Sequence, residues 1–212
     1  MLLLWAATES KESIMLQSSV ISAAIQYIQD LFRAVADGHD AEHTYRVFRN
    51  AKRIAEAYPN ADQTVISLAA LLHDADDHKL FQTENNANAR QFLMDQQIDP
   101  EMIDRICDVI NAVSFSKNRG KSPATIEAMI VQDADRLDAI GAIGIARTFA
   151  FGGSHGRPLD DSIAHFYEKL LLIKDLMNTP EARKLAEERH ALMERFLFAY
   201  EKEVKNLDEP LL

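Results

Sequence analysis

The first candidates for binding a metal ion are two polar residues at the end of an apolar segment. His73-Asp74 directly follows the almost wholly apolar residues 65–72. A buried helix that ends in two adjacent metal-competent groups departs from a plain core helix, and such departures tend to mark functional sites. The alternative is that the helix emerges into solvent here and simply exposes both side chains.

A group of acidic residues lies between apolar residues further along the chain. Asp135 and Asp138 are three residues apart and share one face of the predicted helix, whereas Asp133 points elsewhere. Three carboxylates on an apolar helix repel one another unless a cation or a basic residue compensates for them. Arg136 and Arg147 are available for that role, so the segment is compatible with a metal site or with ion pairs.

Histidine is weak evidence for a metal site unless its setting supports one. The chain has seven histidines. His43 lies three residues before Arg46 on a predicted helix, so the two side chains share a face. A second His-Asp pair, His39-Asp40, precedes them. The pair alone is therefore uninformative, and only its position at the end of a buried helix carries weight.

Together these residues resemble the HD-domain metal-dependent phosphohydrolase superfamily. The pattern is a histidine in HTYRVFRNA, a His-Asp pair in LAALLHD and a distant aspartate in DADRLDAIGA, and the resemblance covers about residues 20–150. The strings GHDAEHTYRV, LLHDADDHK and VQDADRLDAIGAIGIAR are most similar to small bacterial single-domain members that act as nucleoside triphosphate pyrophosphohydrolases. The resemblance implies four metal ligands: His43, His73, Asp74 and Asp135.

The chemistry of this ligand set is consistent with that implication. Two neutral imidazoles and two carboxylates suit Mn²⁺, Mg²⁺, Co²⁺, Ni²⁺ or Fe²⁺ better than an ion that prefers thiolates. Such an ion would lower the pKa of a bound water and polarise a phosphorus centre. Relatives with two metals carry further histidines between the His-Asp pair and the last aspartate. Only His78 lies in that interval here, so we expect one divalent ion.

Hydrolysis also requires a group that transfers protons about one helical turn from the ligands. Asp77 is three residues after Asp74, where many HD hydrolases carry an acidic residue, and it is the first candidate. Asp138 is the second. The alternative interpretation is that Asp76 and Asp77 belong to a solvated loop.

Phosphate binding requires cationic side chains close to the metal. The candidates are Arg46, Lys79, Lys117 and Arg157. Arg46 and Lys79 are nearest to the implied ligands in the sequence, and we prefer them for that reason.

The resemblance and the predicted site favour an enzyme that hydrolyses a nucleotide phosphoanhydride. Metal-bound water would attack the α-phosphorus of a (deoxy)nucleoside triphosphate and release the monophosphate and pyrophosphate. The alternative is a nucleoside monophosphate phosphatase or another phosphomonoesterase, since the metal site alone does not select an ester or an anhydride. A non-catalytic nucleotide-binding HD module is a further alternative. A di-iron oxygenase would need paired Glu-x-x-His motifs, and residues 187–190 are the one match.

Helical periodicity predicts the elements that must position these residues. Helices are expected over 16–36, 40–58, 62–74, 87–96, 100–113, 124–140 and 161–177, and a last helix is capped by Thr179 with Pro180 in its first turn. Residues 140–150 continue or adjoin the preceding helix, and 75–86 form a loop. We therefore predict an all-α fold, a single helical HD-domain bundle over 15–212 after a non-core extension at 1–14.

Composition restricts the class of function. The chain has 212 residues, 7 Gly, 6 Pro, one Cys and a formal net charge of −10. Few Gly and Pro residues favour long helices, and the single Cys107 excludes a disulfide framework or thiolate cluster. The negative charge argues against nucleic-acid or anionic-membrane binding, and no apolar run is long enough for a membrane span. We expect a cytoplasmic enzyme for a small phosphorylated substrate, as a monomer or homodimer.

Overall fold

The computed structural model describes residues 18–33, 41–113 and 122–207, with side chains up to residue 204. The predicted extension at 1–14 and the candidate Lys117 lie outside the described residues. Within them every regular element is a helix and no strand occurs, which confirms the all-α prediction. None of the described helices is both long and apolar enough to cross a membrane.

The helices of the described residues follow one another in a fixed order along the chain. They are α1 (18–31), α2 (Ala41–Ala55), α3 (Gln63–Leu72), α4 (Ala87–Asp95), α5 (Pro100–Val113), α6 (Ile126–Asp138), α7 (Gly141–Ser154), α8 (Leu159–Glu168), a 3₁₀ helix (Leu170–Leu176) and α9 (Pro180–Leu207). A first compact unit ends at Gln132 and a second begins at Asp133, so the division falls within α6. The predicted single domain over 15–212 stays a prediction.

The core of the first unit is built around α3. Every residue from Val65 to Leu72 is at most 2% exposed, because α2 and α5 pack against this helix. Burial of one leucine or isoleucine side chain stabilises the fold by about 1.5–3 kcal/mol. Asp62 caps the helix, since its carboxylate accepts hydrogen bonds of 3.1 Å from the amides of Thr64 and Val65. The predicted buried helix that leads to His73-Asp74 is therefore present.

The first half of α6 is tied to the same core by two hydrogen bonds. The Glu127 Oε1 accepts from the amide of Asp62 at 2.9 Å, next to the start of α3. The buried Gln132 side chain donates from Nε2 to the carbonyl of Ala112, near the end of α5, at 2.7 Å. These two bonds join the first half of α6 to the start of α3 and the end of α5 within the first unit.

The second unit is organised by the buried Asp133. Its carboxylate accepts four hydrogen bonds of 2.8 Å, from the amides and side chains of Asn178 and Thr179. Burial raises the pKa of the Asp133 carboxyl, and these hydrogen bonds oppose that shift. Thr179 in turn accepts from the amide of Ala182 at 3.3 Å, and α9 begins at Pro180. The predicted cap and first turn of the last helix are thereby confirmed.

The predicted continuous helix over 161–177 is wrong. The chain leaves α-helical geometry at Lys169, where φ is −138° and ψ is −57°, and it continues as a 3₁₀ helix. A 3₁₀ helix places residues three apart on one side, which buries both Leu170 and Ile173. Apolar spacing of three or four residues fits both kinds of helix, so the sequence pattern did not separate them.

α6 and α7 adjoin through a tight turn rather than forming one helix. Ile140 is extended, with φ −126° and ψ 168°, and Gly141 has a φ of +76° that favours glycine. The turn brings the backbone of Gly144 close to that of Ala139. A Cβ atom on Gly144 would lie 2.3 Å from the carbonyl oxygen of Ala139. The two glycines therefore permit the reversal that follows Asp138.

We expect Gly144→Ala to lower the free energy of unfolding by about 1–3 kcal/mol, because the added methyl group meets backbone that cannot move aside cheaply. The matched control is Gly153→Ala on the same helix, where the methyl group enters open space. Helix propensity should make that variant up to about 1 kcal/mol more stable. Urea denaturation measures both, and equal effects of the two substitutions would contradict the close approach at Gly144.

Candidate metal centre

Two helices of the first unit bring a pair of imidazoles to one carboxylate. His43 lies on the buried face of α2, and His73 is the first residue after α3. The Nε2 atoms of His43 and His73 lie 3.5 and 3.4 Å from Oδ2 of Asp74. The two ring centroids are 5.3 Å apart, with an interplanar angle of 69°. The two imidazole side chains are only 5% and 3% exposed, so solvent screens this group weakly.

The tautomer of His73 is set by the backbone of α3. Its Nδ1 lies 2.9 Å from the carbonyl oxygen of Ala70, which can only accept a hydrogen bond. Nδ1 is therefore the protonated nitrogen, and a neutral ring presents the Nε2 lone pair toward Asp74. Metal-binding histidines commonly use this arrangement, in which one ring nitrogen donates to a carbonyl and the other binds the ion.

Asp135, the fourth ligand that the sequence resemblance implies, lies on α6 in the part that belongs to the second unit. Imidazole nitrogens and carboxylate oxygens together suit a divalent ion of the first transition series or Mg²⁺. The residues present thus fit the divalent metal that the sequence implied.

The turn after His73-Asp74 contains Asp77, the first candidate for proton transfer. Its Oδ1 accepts a hydrogen bond of 2.8 Å from the amide of Lys79 and lies 3.7 Å from Nδ1 of His78. The Asp77 side chain is only 13% exposed, so the interpretation of a fully solvated loop does not hold for this residue. Its catalytic role stays a prediction.

Asp138, the second candidate, has a basic partner within the second unit. Its Oδ2 accepts a hydrogen bond of 2.8 Å from Arg147, and the Asp138 side chain is 2% exposed. The sequence allowed either a metal ion or an arginine to neutralise the acidic residues of this segment. For Asp138 the structure shows an arginine. It accounts for the burial of Asp138 on structural grounds, and a catalytic role for this residue stays a prediction.

The cationic candidates differ in their surroundings. Arg46 is half-buried on α2, three residues after His43, and Lys79 is exposed after the Asp77 turn. Arg157 belongs to the second unit, where its guanidinium carbon lies 5.3 Å from the centroid of the Phe151 ring. Arg46 and Lys79 therefore belong to the elements that carry His43 and Asp77, while Arg157 has an aromatic partner of its own.

The sequence interpretation missed the structural use of Asp76. Its two carboxylate oxygens accept hydrogen bonds from the amides of Asn88 and Ala89, at 2.9 and 3.0 Å. These amides belong to the first turn of α4, so Asp76 caps that helix from another part of the chain. An acid next to a ligand pair attracts a catalytic interpretation, and no local pattern identifies a partner twelve residues away.

Comparisons with known proteins place this geometry in a family. A family model of the HD domain matches residues 40–140. YpgQ of Bacillus subtilis is 41% identical over 191 residues, which cover 86% of this chain and 92% of YpgQ. The crystal structure of that protein in complex with ADP has a TM-score of 0.77 at 38% identity, and covers 89% of this chain and 96% of the other. An HD-superfamily hydrolase from Bacillus thuringiensis has a TM-score of 0.75 at 38% identity, with coverages of 89% and 98%.

The family match and the geometry concern the same part of the molecule. The matched residues 40–140 include His43, His73-Asp74 and Asp135. The similarity to YpgQ extends over most of both chains, so it is not confined to these short motifs. The chain therefore belongs to the HD-domain family and has the fold of the HD-superfamily hydrolases.

Proposed function

We propose that this protein is a metal-dependent hydrolase that cleaves a (deoxy)nucleoside triphosphate into the monophosphate and pyrophosphate. The observation that carries the proposal is the convergence of His43 and His73 on Asp74, with Nε2 to Oδ2 distances of 3.5 and 3.4 Å. Two imidazoles and a carboxylate with this little exposure form a coordination site for a divalent cation. Hydrolysis at such a site is the chemistry of the superfamily whose fold the chain has.

A nucleotide substrate is supported by the relative YpgQ, whose crystal structure is a complex with ADP. ADP contains a nucleoside and a phosphoanhydride bond, and a nucleoside triphosphate shares both features. The formal net charge of −10 repels a polyphosphate at long range. Binding would therefore depend on local positive charge, which a divalent ion and nearby cationic side chains provide.

The proposed ligands are His43, His73, Asp74 and Asp135. A bound divalent ion would supply Lewis acidity toward a phosphate oxygen and lower the pKa of a coordinated water. The hydrogen bond from His73 Nδ1 to the Ala70 carbonyl keeps Nε2 directed toward the Asp74 carboxylate. The low exposure of the two imidazoles limits competition from bulk water for the coordination site.

Other side chains would bind the phosphates and transfer the proton. Asp77 is the first candidate for accepting a proton from the attacking water, and Asp138 is the second. The hydrogen bond from the Lys79 amide to Asp77 Oδ1 restricts rotation of this carboxylate. Arg46 and Lys79 would neutralise phosphate oxygens, and two further candidates for that task are Lys117 and Arg157.

We expect the purified protein with Mn²⁺ to convert a nucleoside triphosphate into monophosphate and pyrophosphate. In ¹⁸O-labelled water the label should enter the monophosphate, because the attack is on the α-phosphorus. Excess EDTA should abolish turnover, and added Mn²⁺ should restore it. Release of orthophosphate from a nucleoside monophosphate, with the triphosphate left intact, would favour the phosphomonoesterase alternative instead. Turnover that persists in EDTA would contradict the metal dependence.

His73→Ala and Asp74→Ala should each lower turnover by about 100-fold or more, because the stabilisation that a bound ion supplies is worth several kcal/mol. Both should also weaken the binding of Mn²⁺, measured by isothermal titration calorimetry. Asp104→Ala is the matched control, since it removes an exposed carboxylate that pairs with Arg90 at 2.7 Å. If His73→Ala stays folded by circular dichroism and keeps metal-stimulated turnover, the proposed function is wrong.

Asp77→Asn should lower kcat by about 100-fold to 10⁴-fold while Mn²⁺ affinity stays unchanged, because the amide cannot accept the proton. The substitution keeps Oδ1 as an acceptor for the Lys79 amide, so the turn retains this hydrogen bond. Steady-state kinetics combined with calorimetry separates the two effects. An unchanged kcat would remove Asp77 from the mechanism and leave Asp138 as the remaining candidate.

A further inference from the structure

The turn that carries Asp74 is fastened to the start of α4 by three hydrogen bonds. Asp76 accepts from the amides of Asn88 and Ala89 at 2.9 and 3.0 Å. The Asn88 side chain donates from Nδ2 to the carbonyl of Ala75 at 2.8 Å. The residues on the C-terminal side of Asp74 are thus held by a helix that contributes no proposed metal ligand. We call these three bonds the α4 clamp.

The α4 clamp holds the turn, and it also stabilises the N-terminal end of α4. The residue at its N-terminal boundary, Asn86, has a φ of +56°, and its side chain makes no capping hydrogen bond. The first amides of a helix need acceptors, and a carboxylate also interacts favourably with the positive end of the helix. Asp76 therefore supplies from the turn the cap that the local sequence of α4 does not provide.

Water cannot easily replace the clamp. Ala75 and Ala89 are both 0% exposed, and each contributes one backbone group to it. A buried backbone group that loses its partner pays the cost of desolvation. The carbonyl of Asn88 also accepts from the hydroxyl of Tyr27 on α1, at 3.4 Å. Asn88 is thereby held from two sides, and its movement relative to the turn is restricted.

We propose that Asp76 and Asn88 are positioning residues of the metal centre. By fixing Ala75 and Asp76, they keep the Asp74 carboxylate beside the Nε2 atoms of His43 and His73 before any ion arrives. A ligand set held in place in advance binds an ion more tightly, because less conformational freedom is lost on binding. The inference rests on the proposed function, in that it takes His43, His73 and Asp74 as metal ligands.

Two variants weaken the clamp without touching a proposed ligand. Asn88→Ala removes only the bond to the Ala75 carbonyl and places a good helix former in α4. Asp76→Asn replaces one accepting oxygen by an amide that faces a backbone donor. In each variant the dissociation constant of the apoprotein for Mn²⁺, measured by calorimetry, should rise about tenfold or more. A change of this size is typical when a residue that hydrogen-bonds to a metal ligand is replaced. Saturating Mn²⁺ should return kcat to within about twofold of the wild type, because the reacting groups are intact.

The matched control is Arg90→Ala on the same helix. Arg90 donates to the carbonyl of Asn85 at 3.1 Å and to Asp104 at 2.7 Å, and neither partner belongs to the turn. This variant should lower the melting temperature of the apoprotein and leave the Mn²⁺ dissociation constant unchanged. A purely structural role for the clamp predicts that Asn88→Ala behaves in the same way.

The outcomes separate this inference from the function on which it rests. If wild type binds Mn²⁺ and His73→Ala does not, but Asn88→Ala and Asp76→Asn bind like wild type, the positioning role is wrong and the metal site stands. If wild type itself binds no divalent ion, the proposed function fails first. Should Asp76→Asn not fold, the milder Asn88→Ala decides the question alone.

Discussion

The candidate metal centre depends on the position at which the buried helix α3 ends. The helix runs through the core of the first unit, and its last residue, Leu72, is fully buried. His73 and Asp74 follow immediately. They therefore lie at the edge of the core, next to His43 on α2. At this low exposure, charge interactions are stronger than at the surface, and unpaired charge is costly. The arrangement therefore favours a cation among these groups.

The opposite end of α3 is fixed just as firmly, and by a single residue. Asp62 caps the helix, accepts an ion-pair hydrogen bond from Arg105 on α5 at 2.9 Å, and donates its own amide to Glu127 on α6. The start of α3 is thereby linked to the helix that carries Asp135. A rigid helix transmits that restraint along its length, so interactions at Asp62 help to set where His73 and Asp74 lie.

The acidic residues near the site make different interactions, and the net charge alone does not distinguish them. Asp133 holds the start of α9, Asp138 pairs with Arg147, and Asp76 caps α4. Each of these carboxylates is matched with donors, which accounts for the burial of Asp133 and Asp138. Asp74 lies beside the imidazole nitrogens of His43 and His73. This distribution explains how a chain of net charge −10 keeps several acids inside its core.

The sequence by itself determined what local periodicity and end signals encode. The buried character of α3, the start of α9 at Thr179-Pro180 and the proximity of Asp74 to His73 all follow from spacing along one helix. The grouping of His43, His73, Asp74 and Asp135 as metal ligands came instead from the family resemblance, because these residues belong to different helices. Tertiary structure decided the rest, including the link from Asp76 to Asn88, the pairing of Asp138 with Arg147 and the 3₁₀ helix after Lys169. Periodicity reports which face of a helix is buried, but a polar group in that face is satisfied by a partner that only the folded chain brings near.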